Sequence, residues 1–99
     1  MQTKLLINGQ LVKGEGPVQA VFNPALGRVL AEINEASEAQ VDAAVRAADA
    51  AFESWSQTAP KDRSLLVLKL ADAIEAHAQE FAKLESDNCG KPYSAALND

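Results

Sequence analysis

The feature that most constrains the fold is a change of hydrophobic period near residue 34. Before it, short apolar stretches are separated by turn residues, which is typical of β-strands. After it, apolar residues recur at every third or fourth position, which is typical of amphipathic helices. We therefore expect an α+β segment over residues 1–99, with β-hairpins over about 4–33 and three to four amphipathic helices over about 37–99.

Two hairpins are predicted in the N-terminal third. Asn8-Gly9 separates residues 5–7 from 10–12, and both of its positions suit the positive φ of a type I′ turn. Gly14 and Gly16-Pro17 then interrupt the strand pattern. The second hairpin pairs residues 18–22 with 29–33 across the turn Asn23-Pro24-Ala25-Leu26-Gly27, where proline fixes one φ and glycine frees another.

The first helix is predicted over about residues 38–55. Ser37 and Gln40 have the spacing of a capping box, in which each side chain bonds the backbone N–H of the other residue. Asp42 and Arg46 lie one turn apart and can form an exposed ion pair. The apolar stripe of this helix comprises Val41, Ala44, Val45, Ala48, Phe52 and Trp55.

The later helices are predicted from their end signals. Pro60 suits a first helical turn, and the second helix carries the stripe Leu66, Leu70, Ala73 and Ile74. A third helix over about 79–88 directs Phe81 and Leu84 inward. Gly90 is its predicted C-cap and Pro92 its stop, and Ser94 is a candidate cap for a fourth helix.

Composition excludes several classes of partner and location. The formal charge is −5 and no Lys/Arg-rich run is present, so neither nucleic acid nor an anionic membrane surface is expected as a partner. The longest apolar run, residues 65–68, is far too short for a membrane span, and the N-terminal residues do not resemble a signal peptide. One cysteine permits no intrachain disulfide. We expect a cytoplasmic protein.

No catalytic or cofactor-binding residue is predicted. His77 is the only histidine and is expected to face solvent. Cys89 lies at a predicted helix C-terminus, whereas activated cysteines favour helix N-termini or cationic neighbours, so its expected role is structural or incidental. The glycines form neither a dinucleotide-binding loop nor a phosphate-binding loop.

The order of five segments resembles the start of the aldehyde dehydrogenase superfamily, collinearly from about residue 4 onward. Residues 85–92, Glu-Ser-Asp-Asn-Cys-Gly-Lys-Pro, and the Ala-rich first helix are most similar to the gamma-aminobutyraldehyde (1-pyrroline) dehydrogenases. The five segments are Leu-Ile-Asn-Gly-Gln-Leu-Val (6–12), Phe-Asn-Pro-Ala-Leu-Gly-Arg-Val-Leu (22–30), residues 41–52 with Trp55, Leu-Ala-Asp-Ala-Ile-Glu (70–75) and residues 84–92.

This resemblance implies an enzyme that oxidises an aldehyde to a carboxylic acid with NAD, with 4-aminobutanal from putrescine breakdown as the expected substrate. In that family a cysteine thiolate attacks the aldehyde, hydride passes to the nicotinamide, and a glutamate activates water. Those groups and the dinucleotide-binding loop have no counterpart before Asp99. The segment is then expected to be an inactive N-terminal fragment that binds no NAD and flanks the Rossmann-like cofactor domain. Its implied partners are the rest of the parent chain and further copies in a homotetramer.

The resemblance also implies a candidate site for a monovalent cation. Some relatives hold such an ion with backbone carbonyls just before the Asn-Pro turn and a carboxylate near the Gly-Lys-Pro. The matching residues are Val21, Phe22 and Asn88. Asn88 replaces the usual acid and leaves a neutral carbonyl oxygen.

A hypothesis from another class is a free-standing α+β interaction module whose apolar helix faces pair with a partner protein. The fragment hypothesis also has a physical consequence, since its helices would lack the sheet against which they evolved to pack. We then expect exposed apolar stripes, such as Leu66, Leu70 and Ile74, and self-association or a marginal fold.

Overall fold

The computed structural model describes all residues from 1 to 99 and confirms the α+β class, with two strand pairs followed by four helices. The elements are β1 (Leu5–Ile7), β2 (Gln10–Val12), β3 (Val18–Asn23), β4 (Arg28–Asn34), α1 (Glu38–Gln57), α2 (Pro60–Ala76), α3 (Ala78–Cys89) and α4 (Tyr93–Asn98). They belong to two compact units. The first unit comprises Met1–Val21 and Ala31–Gln57, and the second comprises Phe22–Leu30 and Thr58–Asp99.

The first hairpin forms as its turn predicts. Asn8 has φ 50° and Gly9 has φ 73°, so both central residues adopt the left-handed backbone that a type I′ turn requires. β1 and β2 pair antiparallel, and Leu5 lies opposite Val12. The predicted hairpin and its register-setting turn are therefore confirmed.

The second hairpin pairs β3 with β4 and closes through the predicted five-residue turn. The Gly27 N–H donates to the Asn23 carbonyl oxygen at 2.8 Å, and Gly27 has φ 63°. Each strand extends one residue beyond the predicted limits at the turn, since β3 includes Asn23 and β4 begins at Arg28.

Gly14 allows a close backbone approach within the first unit. A Cβ atom at Gly14 would lie 2.3 Å from the Asn34 carbonyl oxygen, so no larger residue fits without a backbone shift. Two hydrogen bonds hold the adjoining segments together. The Gly16 N–H donates to the Glu35 oxygen at 2.8 Å, and the Glu35 N–H donates to the Pro17 oxygen at 2.9 Å. The sequence predicted only a strand interruption at Gly14.

α1 begins with the predicted capping box. The Gln40 N–H donates to Ser37 Oγ at 3.2 Å, and the Ser37 N–H donates to Gln40 Oε1 at 3.1 Å. The Asp42–Arg46 ion pair also forms, at 3.2 Å on an exposed surface. Within the first unit α1 contacts β1, so the helix and the first hairpin pack together.

The ends of the later helices differ from the prediction at one point. Pro60 opens α2, and Gly90, with φ 77°, caps α3 by donating its N–H to the Ser86 oxygen at 3.0 Å, both as predicted. Ser94, however, does not cap α4. The helix begins at Tyr93, and the N-cap position is Pro92, whose carbonyl accepts from the N–H groups of residues 95 and 96. Extended backbone at Pro92 (φ −55°, ψ 132°) leads directly into the helix, which leaves Ser94 in its first turn.

Little of the apolar side-chain surface is buried. Ala82 in α3 is the only buried apolar residue, and Leu84 is half-buried. Phe81 was predicted to face inward, and its side chain is 52% exposed in the structure. α1 has no buried residue, and Phe52 and Trp55 on its stripe are 65% and 41% exposed. Hydrophobic periodicity identifies the apolar face of a helix, but it does not show what covers that face.

None of the four helices combines the length and the apolar composition that a membrane-spanning helix needs.

Candidate functional site

One buried amide organises the turn of the second hairpin. Asn23 is 5% exposed, and its Oδ1 accepts from the N–H groups of Ala25 at 3.0 Å and Leu26 at 3.1 Å. Its Nδ2 donates to Asp87 Oδ1 in α3 at 3.3 Å. An asparagine before a proline turn commonly bonds the backbone ahead of it, but here the same side chain also reaches a residue 64 positions later.

Asp87 and Gly90 complete this contact, which we call the Asn23 junction (Asn23, Pro24, Lys83, Asp87 and Gly90). Lys83 Nζ donates to Asp87 Oδ2 at 2.6 Å, so both carboxylate oxygens have a donor. Pro24 lies against Gly90, where an added Cβ would be 3.1 Å from Pro24 Cγ. The sequence predicted the turn and the cap separately. It gave no signal for their contact, because that contact depends on long-range packing.

A second amide performs a similar task in the first unit. Gln40 Oε1 accepts from the Glu15 N–H at 2.9 Å as well as from Ser37, and Gln40 Nε2 donates to the Lys13 oxygen at 2.8 Å. Glu15 also accepts from Ser37 Oγ at 3.4 Å. We call these four residues the Gln40 junction. It fastens the segment after β2 to the start of α1, a role beyond the predicted cap.

The three residues of the predicted cation site lie on β3 and α3. Val21 and Phe22 are consecutive in β3, and Asn88 is exposed in the last turn of α3. The neighbouring acid, Asp87, is already bonded within the Asn23 junction. No group of three His, Cys, Asp or Glu residues is placed to hold a metal ion. The cation site at Val21, Phe22 and Asn88 stays a prediction.

The single histidine and the single cysteine each bond to a backbone carbonyl one helical turn earlier. His77 is exposed between α2 and α3, and its Nδ1 lies 2.8 Å from the Ala73 carbonyl oxygen. Cys89 is exposed in the last turn of α3, where its thiol donates to the Glu85 carbonyl oxygen at 3.1 Å. The Glu85 carboxylate lies 3.5 Å from the same sulfur. Carbonyl and carboxylate neighbours are the opposite of the cationic surroundings that activate a cysteine nucleophile.

Comparison with known proteins decides the family. Residues 11–99 match the sequence profile of the aldehyde dehydrogenase family. The chain belongs to the aldehyde dehydrogenase family. It is 48% identical over 99 residues to a mitochondrial aldehyde dehydrogenase of Leishmania tarentolae, and that match covers 99% of this chain and 20% of the relative. It is 44% identical over 77 residues to the 2-aminomuconic semialdehyde dehydrogenase of Danio rerio, across 78% of this chain and 16% of the relative.

Solved structures of the family carry the same fold. An NAD-dependent benzaldehyde dehydrogenase from Corynebacterium glutamicum superposes with a TM-score of 0.94 at 34% identity, over 99% of this chain and 22% of that one. An NAD⁺ complex of the Bacillus cereus aldehyde dehydrogenase superposes with a TM-score of 0.92 at 45% identity, over 100% of this chain and 21% of that one. The chain thus matches the N-terminal region of the aldehyde dehydrogenase fold and spans about a fifth of the length of these relatives.

Proposed function

We propose that residues 1–99 are the N-terminal part of an NAD-dependent aldehyde dehydrogenase that converts an aldehyde into a carboxylic acid. The observation that carries this proposal is the superposition of the whole chain on relatives described as NAD-dependent or bound to NAD⁺. The match is specific in sequence as well as in fold, since identity to the Bacillus cereus enzyme is 45%.

Under this proposal the 99 residues contribute structure and no reacting group. The three glycines with positive φ lie in the two hairpin turns and at the end of α3, and none opens a helix after a strand. The geometry therefore does not fit the glycine-rich loop that binds a dinucleotide. Cys89 and His77 bond to nearby backbone carbonyls rather than to each other. We assign the cofactor contacts, the nucleophile and the general base to other parts of the enzyme.

The contribution of the chain is then a folded layer beside the cofactor domain. Two amide side chains fix this layer, Gln40 in the first unit and Asn23 in the second. Gln40 joins the segment after β2 to the start of α1, and Asn23 joins the turn of the second hairpin to α3. The exposed apolar faces of the helices are available for packing against the remainder of such an enzyme.

The test is a chimera in which residues 1–99 replace the matching fifth of the Bacillus cereus enzyme. We expect a soluble enzyme that forms NADH from NAD⁺ and the aldehyde used by the parent, followed by absorbance at 340 nm. The control is the same enzyme with the matching fifth deleted, which should be inactive. An inactive chimera would contradict the proposal, and a partner from another protein class that co-purifies with residues 1–99 would favour the interaction module.

For the substrate we propose 4-aminobutanal, on the similarity of residues 85–92 to the gamma-aminobutyraldehyde branch. The relatives' names include benzaldehyde and 2-aminomuconic semialdehyde, so the family alone does not select an aldehyde. The natural gene product containing this segment should show a higher kcat/KM with 4-aminobutanal than with benzaldehyde. The reverse order would overturn the substrate assignment.

We also propose that the natural gene product is a cytoplasmic homotetramer. Gel filtration tests the oligomeric state, and cell fractionation tests the location.

The monovalent-cation site is a further proposal on the same segment. Two backbone carbonyls and the Asn88 amide would supply only neutral oxygens, so binding of K⁺ or Na⁺ should be weak. The chimera should therefore keep its melting temperature when K⁺ is exchanged for a large organic cation. Replacement of Asn88 by Asp should create a measurable dependence on K⁺, because it supplies the carboxylate that the family resemblance implies for such a site. If the melting temperature of the Asn88→Asp variant does not depend on K⁺, the cation-site proposal is overturned.

A further inference from the structure

The turn of the first hairpin places an asparagine directly before a glycine. Asn8 has φ 50°, Gly9 has φ 73°, and both residues are exposed. Asparagine is among the thermolabile residues, because the backbone nitrogen of the following residue can attack its side-chain carbonyl carbon. A following glycine obstructs that attack least, since it has no Cβ. The space around Gly9 is also open, because an added Cβ would meet no atom within 4 Å.

The other four asparagines have surroundings that oppose the same reaction. Asn23 precedes a proline, whose nitrogen has no hydrogen to lose, so the attack is blocked there. Asn34 precedes a glutamate, and its Nδ2 donates to the Gly16 oxygen at 3.4 Å. Asn88 and Asn98 lie in α3 and α4, and each is followed by a residue with a side chain. The turn of the first hairpin is therefore the most reactive position by its covalent chemistry.

The folded turn, however, holds the two reacting groups apart. In the left-handed region ψ is about +47°, which places the Gly9 nitrogen across the Cα–C bond from the Cβ of Asn8. Attack on the side-chain carbon therefore requires a rotation that opens the turn. β1 and β2 have three residues each, and a short two-stranded hairpin has little stability of its own. Its contact with α1 then determines how often the turn opens.

We propose that Asn8 is a deamidation site and that opening of the first hairpin controls its rate. The Gly9 nitrogen loses its proton and bonds to Cγ of Asn8, the Cγ–Nδ2 bond breaks, and ammonia leaves with that proton. Water then opens the five-membered imide at either carbonyl carbon, which gives aspartate or isoaspartate. One water is consumed for each ammonia released, and nothing is oxidised or reduced. The reaction is independent of the proposed aldehyde oxidation.

The modification should weaken the packing of the hairpin on α1. Both products place a carboxylate at a groove that the turn shares with apolar methyl groups, and an unpaired charge beside such groups is unfavourable. Isoaspartate also adds one carbon to the backbone path, which disrupts the two-residue turn. We therefore expect the melting temperature to fall as the amide is lost. The methyl groups belong to Ala44, Ala47, Ala48 and Ala51 of α1.

The test is incubation of the chain at mildly alkaline pH, with tryptic digestion and mass spectrometry of samples taken over several weeks. Trypsin releases residues 5–13, in which Asn8 is the only asparagine, and residues 29–46, in which Asn34 is the only asparagine. Conversion should be faster at Asn8 than at Asn34 by about tenfold or more, because glycine leaves the attacking nitrogen unobstructed. Equal rates at the two asparagines would overturn the site.

Control by the hairpin has a separate measurement. A synthetic peptide of residues 5–13 lacks α1, so it should deamidate several times faster than the folded chain, and urea should bring the chain to the rate of the peptide. Val12→Gly weakens β2 opposite Leu5 and should speed the reaction in the chain. The matched control is the peptide with the same replacement, which should react as the unchanged peptide does. Equal rates in the chain and the peptide, or an unchanged rate in the Val12→Gly chain, would overturn control by the hairpin.

Discussion

The Gln40 junction and the Asn23 junction perform the same task with different degrees of burial. Each amide side chain makes three hydrogen bonds: two of those of Gln40 reach the segment after β2, and one of those of Asn23 reaches α3. Gln40 is half-buried, whereas Asn23 is 5% exposed. Water can replace the bonds of a partly exposed amide more readily than those of a buried one. The comparison teaches that equal numbers of bonds should contribute unequally to stability.

The largest loss of stability is expected when the close backbone contact at Gly14, near the Gln40 junction, is disrupted. It should exceed the loss caused by removing either amide side chain. Gly14→Ala should destabilise the chain by about 3 kcal/mol, because the new Cβ would lie 2.3 Å from a backbone oxygen that has no flexible end to move. Urea unfolding followed by far-ultraviolet circular dichroism measures this. Gly16→Ala is a graded comparison, since its Cβ would lie 2.9 Å from the nearest atom and should cost less. Equal stability of Gly14→Ala and the unchanged chain would show that the close approach is absent.

The second-largest loss of stability is expected when the buried Asn23 amide is removed. Asn23→Ala removes the partner of two backbone N–H groups and of Asp87, and we expect a loss of about 2 kcal/mol in the free energy of unfolding. Asn88→Ala is the matched control, because Asn88 is exposed and its removal leaves those bonds intact. The same urea titration should show the control within error of the unchanged chain. A larger loss for Asn88→Ala than for Asn23→Ala would contradict the role of the Asn23 junction.

Removal of the half-buried Gln40 amide should lower the stability of the chain less than removal of Asn23. Gln40→Ala should lower the free energy of unfolding by about 1 kcal/mol, since it removes half of a capping box and the bond to the Lys13 oxygen. Gln57→Ala, at the exposed end of α1, controls for the loss of a glutamine side chain. Thermal melting of both variants gives the comparison. If Gln40→Ala costs as much as Asn23→Ala, burial does not set the difference between the two junctions.

The smallest change in stability is expected when the surface ion pair of α1 is removed. Asp42 and Arg46 are 67% and 81% exposed, and exposed pairs are screened by water and salt. Asp42→Asn should therefore leave the melting temperature of the chain unchanged within error, in low salt and in high salt alike. A clear drop in low salt alone would show that surface charge contributes to the first unit.

Local signals in the sequence predicted local structure well. Asn8-Gly9, the Ser37–Gln40 capping box and Gly90 each act on the backbone within a few residues, and all three form as predicted. The Asn23–Asp87 contact could not be predicted in this way, because the two residues are 64 positions apart. The exposure of Phe81 was missed for a related reason, since periodicity places a residue on a face without showing what covers it.

The placement of side chains along the helices was predictable, but their contacts with distant residues were not. The positions of His77 and Cys89 on the helices follow from the sequence, and the structure shows both side chains bonded to backbone carbonyls one turn earlier. The family resemblance supplied the aldehyde dehydrogenase assignment, which the comparison confirms. The second role of Gln40, as a link to residues 13–15, depends on how the first hairpin packs on α1 and has no local signature.

The central proposal is that these 99 residues carry the N-terminal fold of an aldehyde dehydrogenase, while its cofactor site and its reacting groups lie in other parts of the enzyme. Calorimetric titration of NAD⁺ into residues 1–99, followed by addition of an aldehyde to the same sample, tests it most directly. We expect no binding heat and no NADH. Saturable binding of NAD⁺ or steady formation of NADH by the purified chain would contradict the account.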